Sequence, residues 1–461
     1  MQLWRAMLGM AVIAAVVWPS PAHHAFAASG PAKPPEPPTM PGPTSQDRVL
    51  VLAPHPDDEV IGCGGYLAMA VRAGAQVRVV VVTSGEGFSL AAERLFGEGE
   101  VTPVRCLKLA LERRSETLAA LRHLGVRPDQ AIFLAYPDRG LVALWTEEWY
   151  PAKPYVSPYT RVSSAPLPDP WGKRPAYCGA SLLEELTRLA EEFKPTVVLC
   201  PHSSDLHGDH WAVYCYTVGA LYQAGMLDRV ALGTYLVHLG GWKRDENPNA
   251  SEAMAPPPSL AGGSWPWRSL PLDRKSRQQK EAALREHASQ MNIYPRYLLS
   301  FVKANELFGA TSPAVRGAGS GSGPAGKPEA VSPTLSWSVS DAKGDITLAS
   351  APPGVDVVGL KAEADGTRLR VWLELAGESN REVSYRVDLH ALCDRQVGPP
   401  ISYCLKPGQR SGNLECELQG SQVAITIPWP PKAAEGVMLS ASTWLGRRVA
   451  DRTPWRMLLA R

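Results

Sequence analysis

The chain has 461 residues, with 47 Lys and Arg against 45 Asp and Glu and a formal net charge of +2. That length holds a large catalytic domain plus a smaller one. A balance so close to neutral leaves no dominant basic surface, which excludes nucleic acid and an anionic membrane face as expected partners.

The first segment reads as an export signal. Met1 to Arg5 carries one positive charge, Ala6 to Trp18 is apolar, and Ala25-Phe26-Ala27 offers a small-x-small cleavage site. The apolar run is short for a bilayer, so residues 1–27 are expected to be a signal peptide with no transmembrane span after cleavage. The mature protein is expected to be secreted, or held in the periplasm or cell envelope. Residues 28–46, with Pro34-Pro35-Glu36-Pro37-Pro38, read as an extended linker.

Short apolar strands then alternate with helices. Arg48 to Ala53, Gln76 to Thr83, Ala131 to Ala135, Thr196 to Cys200 and Val230 to His238 read as strands. Gly64 to Ala73, Arg105 to Leu124, Leu182 to Phe193 and Asp209 to Ala224 read as helices, the second of them closed by Gly125. This rhythm predicts an α/β fold over residues 47–310, a Rossmann-like parallel sheet with helices on both faces. Arg274 to Gln290 reads as a charged helix and Leu298 to Phe308 as a last short one.

Two aromatic insertions interrupt the rhythm. Residues 141–178 hold Trp145, Trp149, Tyr150, Tyr155, Tyr159, Trp171 and Tyr177, and residues 242–270 hold Trp242, Trp265 and Trp267. Such loops suit a lid that stacks on sugar rings, or a satellite core beneath the loop. Residues 311–333 are Gly, Ser, Ala and Pro, an interdomain linker, and residues 334–461 read as a small all-β sandwich. Its tryptophans fit a carbohydrate platform or the sandwich core, and Asp345-Ile346-Thr347, Leu369-Arg370-Val371-Trp372 and Ile427-Pro428-Trp429 loosely resemble carbohydrate-binding family 9 or DOMON modules. All eight cysteines follow the signal segment, where disulfides are permitted. Cys393, Cys404 and Cys416 are close enough for one local bridge, whereas Cys63 and Cys200 suit buried thiols. No CxxC pair is present, which argues against a cysteine zinc site.

The chemistry gathers after two strands. His55-Pro56-Asp57-Asp58-Glu59 places an imidazole and three carboxylates on one tight turn, and a divalent cation is the commonest compensation for such a charge density. Pro201-His202-Ser203-Ser204-Asp205-Leu206-His207-Gly208-Asp209-His210 follows another strand, and in a parallel sheet both turns share one edge. Two histidines and a carboxylate leave positions open for water and substrate, the pattern of a catalytic cation. Gly62-Cys63-Gly64-Gly65 lacks dinucleotide-binding spacing.

These paired motifs resemble the LmbE-like (PIG-L) N-deacetylases, as do Arg113-Arg114-Ser115-Glu116, Pro137-Asp138 and the stretch from Lys280 to Gln290. The resemblance implies a hydrolase that uses Zn2+, or another divalent first-row metal, to deacetylate an N-acetylglucosamine-type sugar or glycoconjugate. It implies metal ligands His55, Asp58 and His210, Asp57 as general base, His207 as the group that answers charge on the amide oxygen, and Asp209 as the residue that orients a histidine. It implies sugar contacts from Arg113 and Asp138, for which a buried salt bridge between elements is the alternative. His238, at the end of a strand on the same edge, could contact substrate, act as an acid or be a satisfied core histidine. Glu59 suits support of the helix start, and His202 a strand-end hydrogen bond. The alternatives are an amidase acting on another N-acyl conjugate, and a non-catalytic glycan-binding protein.

Overall fold

The computed structural model describes residues 36–97, 99–166, 172–239, 242, 251–261, 266–310, 314–316, 318–319, 335–341, 351–352, 354–430 and 434–460. The expected signal peptide, the start of the Pro-rich segment, Trp171, Trp265, Asp345-Ile346-Thr347 and most of the Gly/Ser/Pro segment lie outside these residues.

Seven strands form the first sheet: β1 (Arg48–Ala53), β2 (Gln76–Thr83), β3 (Ala131–Tyr136), β4 (Val197–Pro201), β5 (Ala231–Tyr235), β6 (Trp267–Pro271) and β7 (Asn305–Gly309), in the order β3-β2-β1-β4-β5-β7-β6. The five expected strands run parallel. Their interiors are buried on both faces, which is why Val49-Leu50-Val51-Leu52 shows no alternation. The sheet is not wholly parallel, however: β7 is antiparallel to β5, and β6 to β7. Leu298 to Phe308 is therefore not a helix but a short helical turn ending at Leu299, followed by β7, which lies between β5 and the edge strand β6.

Nine helices occur among the described residues: α1 (Asp58–Arg72), α2 (Ser89–Phe96), α3 (Pro103–His123), α4 (Leu141–Thr146), α5 (Gly179–Phe193), α6 (Gly208–Gln223), α7 (Arg274–Glu286), α8 (Ala288–Met291) and α9 (Pro295–Leu299). None is long and apolar enough to cross a membrane. Helix α1 starts six residues before the expected Gly64, so Asp58 and Glu59 occupy its first turn, where the helix dipole favours carboxylates. Its glycines permit close packing. A Cβ on Gly62 would lie 2.4 Å from the Tyr235 ring, and one on Gly65 2.5 Å from Leu272. At Gly65 a buried ion pair enters the helix ladder. Lys280 Nζ donates to Ile61 O (2.8 Å) and Glu306 Oε1 (2.7 Å), while Glu306 accepts from the amides of Gly65 (2.7 Å) and Tyr66 (2.8 Å).

Residues 335–460 supply six and five strands of two further sheets, packed over a core of Val, Leu and Ile side chains. Part of the segment expected as linker joins them: Ala314–Arg316 pairs with Arg456–Leu459, and Ala318–Gly319 with the strand that begins at Leu335. Residues 38–40, expected as tether, lie along β6, with Met40 N donating to Ser269 O (2.9 Å).

The β-region continues the core of the α/β region. Leu392, Val397, Met438, Trp455, Met457 and Leu459 pack in one cluster with Trp145, Leu182 and Val213. His390 sits there, with Nε2 3.0 Å from Trp145 O and its ring 4.1 Å from the Trp145 ring. Trp145, Trp149 and Tyr177 of the first insertion, and Trp242 and Trp267 of the second, are buried in core clusters. The satellite-core alternative describes these aromatics, not the lid. All eight cysteines are free, so the local bridge among Cys393, Cys404 and Cys416 does not form; Cys63 and Cys200 are buried thiols.

Candidate active site

The chain winds outward from β1 through β2 to β3, then returns to β4 on the other side of β1 and winds outward to β5, so a crevice opens at the carboxyl ends of β1 and β4 where the direction reverses. The two motif turns meet there. A cavity of about 410 Å³ is lined by His55, Asp57, Asp58, Arg113, Asp138, His207 and His238, with Phe88, Tyr294, Tyr297 and Leu298 as an apolar wall. Every sequence-predicted site residue except Asp209 and His210 lines it; these two are fully buried just behind.

Asp58 joins the two expected metal-binding histidines. Its Oδ2 lies 3.0 Å from His55 Nδ1 and 3.1 Å from His210 Nε2. His210 Nδ1 lies 3.2 Å from Asp205 Oδ2, yet neither nitrogen of this buried ring makes an aligned hydrogen bond. Nitrogen and oxygen donors held this close without the angle of a hydrogen bond suit a cation between them. His55, His207 and His210 bring ring nitrogens within 4.8 Å of one another. The donor set fits a first-row divalent ion.

The electrostatics agree. Burial disfavours charge on His55, but Asp138, Asp209 and Asp58 outweigh it and hold the imidazole well above its usual range. For His210, burial is outweighed by Asp205 and Asp58, and the pKa rises to about 10. Asp58 is held well below the usual carboxylate range because His210 and His55 outweigh its burial. The carboxylates thus gather positive charge at this point.

Asp57 differs from its neighbour. Burial pushes its carboxyl up to about 7, with Arg113 opposing, which suits a group that takes and returns a proton near neutrality. Its backbone is strained at φ 119°. Two contacts hold it there: Asp57 N donates to Glu59 Oε2 (3.1 Å), and Arg113 Nη2 donates to Pro56 O (2.6 Å). Arg113 also donates to Gly85 O (2.9 Å) and lies 3.4 Å from Asp57 Oδ2, so much of its guanidinium is committed to clamping two turns. Burial raises Glu59 to about 8, so it is largely neutral at pH 7.

His207 caps α6, its Nδ1 accepting from Asp209 N (3.3 Å). Burial holds its pKa far below the usual value, so the ring is neutral with its proton on Nε2. Asp209 accepts from Arg139 N (2.6 Å) and Leu141 N (3.1 Å), and its Oδ2 lies 3.2 Å from His55 Nε2. It therefore orients His55. Asp138 Oδ1 lies 3.3 Å from the same nitrogen, and its Oδ2 accepts from Gly87 N (2.8 Å). His202 is apart from the site, its Nδ1 accepting from Ser204 N (3.0 Å) and its ring stacked on Trp267.

The sequence reading missed Asp205. This fully buried carboxylate accepts from the amides of His207 (2.9 Å), Val237 (3.0 Å) and His238 (3.0 Å), and faces both His210 and His238 Nδ1 at 3.2 Å. The signal was an acidic residue two positions before His207. Glu86, whose Oε1 accepts from Asp138 N (3.0 Å), was missed as well. The apolar wall was missed too; Phe88 and Tyr294 stack with ring centres 6.1 Å apart although 206 positions separate them in the chain.

Residues 50–221 match the family model described as PIG-L, GlcNAc-PI de-N-acetylase. A 1D-myo-inositol 2-acetamido-2-deoxy-alpha-D-glucopyranoside deacetylase of Mycobacteroides abscessus is 29% identical over 264 residues, 53% of this chain and 82% of that protein. The protein of the same name from Mycobacterium sp. (strain KMS) is 30% identical over 190 residues, 38% of this chain and 51% of that one. Among solved structures, the N,N'-diacetylchitobiose deacetylase of Pyrococcus horikoshii aligns over 59% of this chain and 86% of its own, with 18% identity and a TM-score of 0.37.

Proposed function

Taking residues 50–221 as a domain of the PIG-L family, we propose that this protein is a metal-dependent N-deacetylase that hydrolyses the acetamide of an N-acetylglucosamine-type sugar or glycoconjugate to an amine and acetate. The observation that carries the reading is the meeting of His55, Asp58 and His210 beside Asp57 at the ends of β1 and β4. His55, Asp58 and His210 would hold the cation, which when bound supplies Lewis acidity to the scissile amide and the attacking water.

The chain's own groups do the rest. Asp57 takes the proton of the water whose oxygen bonds to the acetyl carbon, then returns it to the nitrogen as the carbon–nitrogen bond breaks. His207 donates its Nε2 proton in a hydrogen bond to the amide oxygen, where negative charge develops, and a neutral imidazole can do so without carrying a net charge. Asp209 and Asp205 keep His55 and His210 from turning. Arg113, Asp138 and His238 line the same cavity and are proposed to meet the sugar hydroxyls. The expected signal segment supports an activity outside the cytoplasm, in the envelope or the medium.

The test is acetate release from N-acetylglucosamine sugars with cation present and with cation chelated. Release that needs the cation supports the reading; release that ignores it overturns the role of His55, Asp58 and His210.

A further inference from the structure

A second cavity, of about 300 Å³, lies where the β-region meets the α/β region. One wall comes from α4 and the Ser203–Leu206 turn, the other from the strands Val383–Cys393, Gly436–Leu445 and Arg448–Arg452. Its size falls within the range of ligand sites, roughly 300–1,000 Å³. We propose that this groove binds further sugar residues of the glycan whose N-acetyl group occupies the catalytic cavity, so that the substrate is an oligosaccharide or polysaccharide. The inference rests on the deacetylase reading above and extends it to substrate class.

The composition of the groove selects the ligand. Trp444 is half-buried, its Nε1 fixed by donation to Ser442 Oγ (2.8 Å), with the Arg386 guanidinium 5.6 Å from the ring centre. Arg386 donates to Asp388 Oδ1 (2.7 Å) and Ser402 Oγ (3.1 Å), and Ser402 also bonds Asp388. An aromatic ring beside a fixed array of donors and acceptors suits a pyranose, which has an apolar face and a hydroxyl-bearing edge. The charges oppose an anionic ligand: Arg386 and Arg452 face Glu147, Asp205, Asp388 and Asp451. Ser203 and Ser204 line the same groove, and their buried hydroxyls have no hydrogen-bond partner.

Position connects the groove to the chemistry. Along one short turn, Asp205 and Leu206 line the groove while His207 lines the catalytic cavity. Leu206 N donates to the carbonyl of His238, which also lines the catalytic cavity. Leu206 is 46% exposed, so the divider is a surface ridge that a chain can cross and not a buried wall. A monosaccharide in the catalytic cavity cannot reach beyond it.

The experiment uses the full chain, with N-acetylglucosamine oligomers from one ring to six as probes, and compares wild type with Trp444→Ala and Asp388→Asn. Two readouts are taken: KM and kcat for acetate release, and equilibrium binding of each oligomer in an Asp57→Asn background. The wild type is expected to bind long oligomers at least tenfold more tightly than short ones. Trp444→Ala is expected to raise KM and Kd for the long oligomers by about tenfold, with monosaccharide kinetics unchanged. Asp388→Asn, a polar change on a partly exposed strand, is expected to act in the same direction if Trp444→Ala does not fold. Affinity that does not depend on oligomer length, or folded variants that bind long oligomers as the wild type does, would overturn the proposal. Length-dependent, Trp444-dependent binding without acetate release would sustain the groove while the deacetylase reading failed. Acetate release without any length dependence would do the reverse.

Discussion

Asp205 gives the sharpest test of how the site is held together. Its Oδ1 faces the His207 amide and His238 Nδ1; its Oδ2 faces the amides of Val237 and His238, and His210 Nδ1. In Asp205→Asn one oxygen becomes an NH2 group. The less disruptive placement puts it at Oδ1 and leaves the His207 amide facing a donor. A buried donor without a partner costs about 1–3 kcal/mol, and the negative charge that both imidazoles face is lost as well. The variant is therefore expected to lose about 3 kcal/mol of stability in denaturant titration. Asp205→Ala, which strands three amides, is expected to lose about 5 kcal/mol or more. Asp205 touches His210 but not the catalytic cavity, so kcat and cation affinity, measured by competition with a chelator, are expected to fall about 10–100-fold while KM for a monosaccharide, which does not reach the groove, changes little. A folded Asp205→Asn protein with wild-type kcat and cation affinity would refute the claim that this carboxylate positions His210.

Three further outcomes follow from the same geometry. Asp57→Gly removes a buried carboxylate from a strained backbone, so melting temperature is expected to rise by the equivalent of about 1 kcal/mol as activity vanishes; a lower melting temperature would contradict the strain assignment. Lys280→Met leaves Glu306 charged and buried within the α1 ladder, and is expected to cost about 3–5 kcal/mol in thermal unfolding; a loss under about 1 kcal/mol would show the pair to be dispensable. His202 is buried neutral, its pKa lowered to about 3 by burial, then by Arg456. The unfolded chain therefore takes up this proton first as pH falls below about 6.5, and stability drops from there toward pH 3, by up to about 4 kcal/mol. His202→Asn keeps an acceptor for Ser204 N and is expected to flatten that slope in denaturation curves between pH 7 and pH 4; an unchanged slope would place the acid sensitivity elsewhere.

The parts of the fold legible in the sequence are those whose signal is local. Val49 to Ala53 and Gln76 to Thr83 read as buried parallel strands because they are continuously apolar, and His55 to Glu59 declared itself by charge density. The strand Asn305–Gly309 did not: it is five residues long and carries Glu306, whose partners Lys280, Gly65 and Tyr66 are remote in sequence. The start of α1 was misplaced because the charged His55 to Glu59 segment read as a tight turn, although Asp58 and Glu59 form the first turn of the helix. In the fold Gly62 and Gly65 are what allows Tyr235 and Leu272 to approach. Trp145 and Trp149 fitted a lid as well as a core because the surface that covers them comes from His390 and Trp455, more than 200 residues away. Asp205 was overlooked for a related reason: its role depends on the end of β5, which no spacing within its own loop reveals.

The most direct test of the central claim measures acetate released by the full chain from a panel of N-acetylglucosamine mono- and oligosaccharides. The protein is assayed loaded with a divalent cation, stripped by chelator, and as the loaded Asp57→Asn variant. The account predicts release by the loaded wild type alone, with the stripped protein silent and the variant reduced at least about a thousandfold, as expected when a general base that the substrate water needs is removed. Release that survives both chelation and Asp57→Asn would contradict it, as would a cation-loaded wild type that liberates no acetate from any member of the panel.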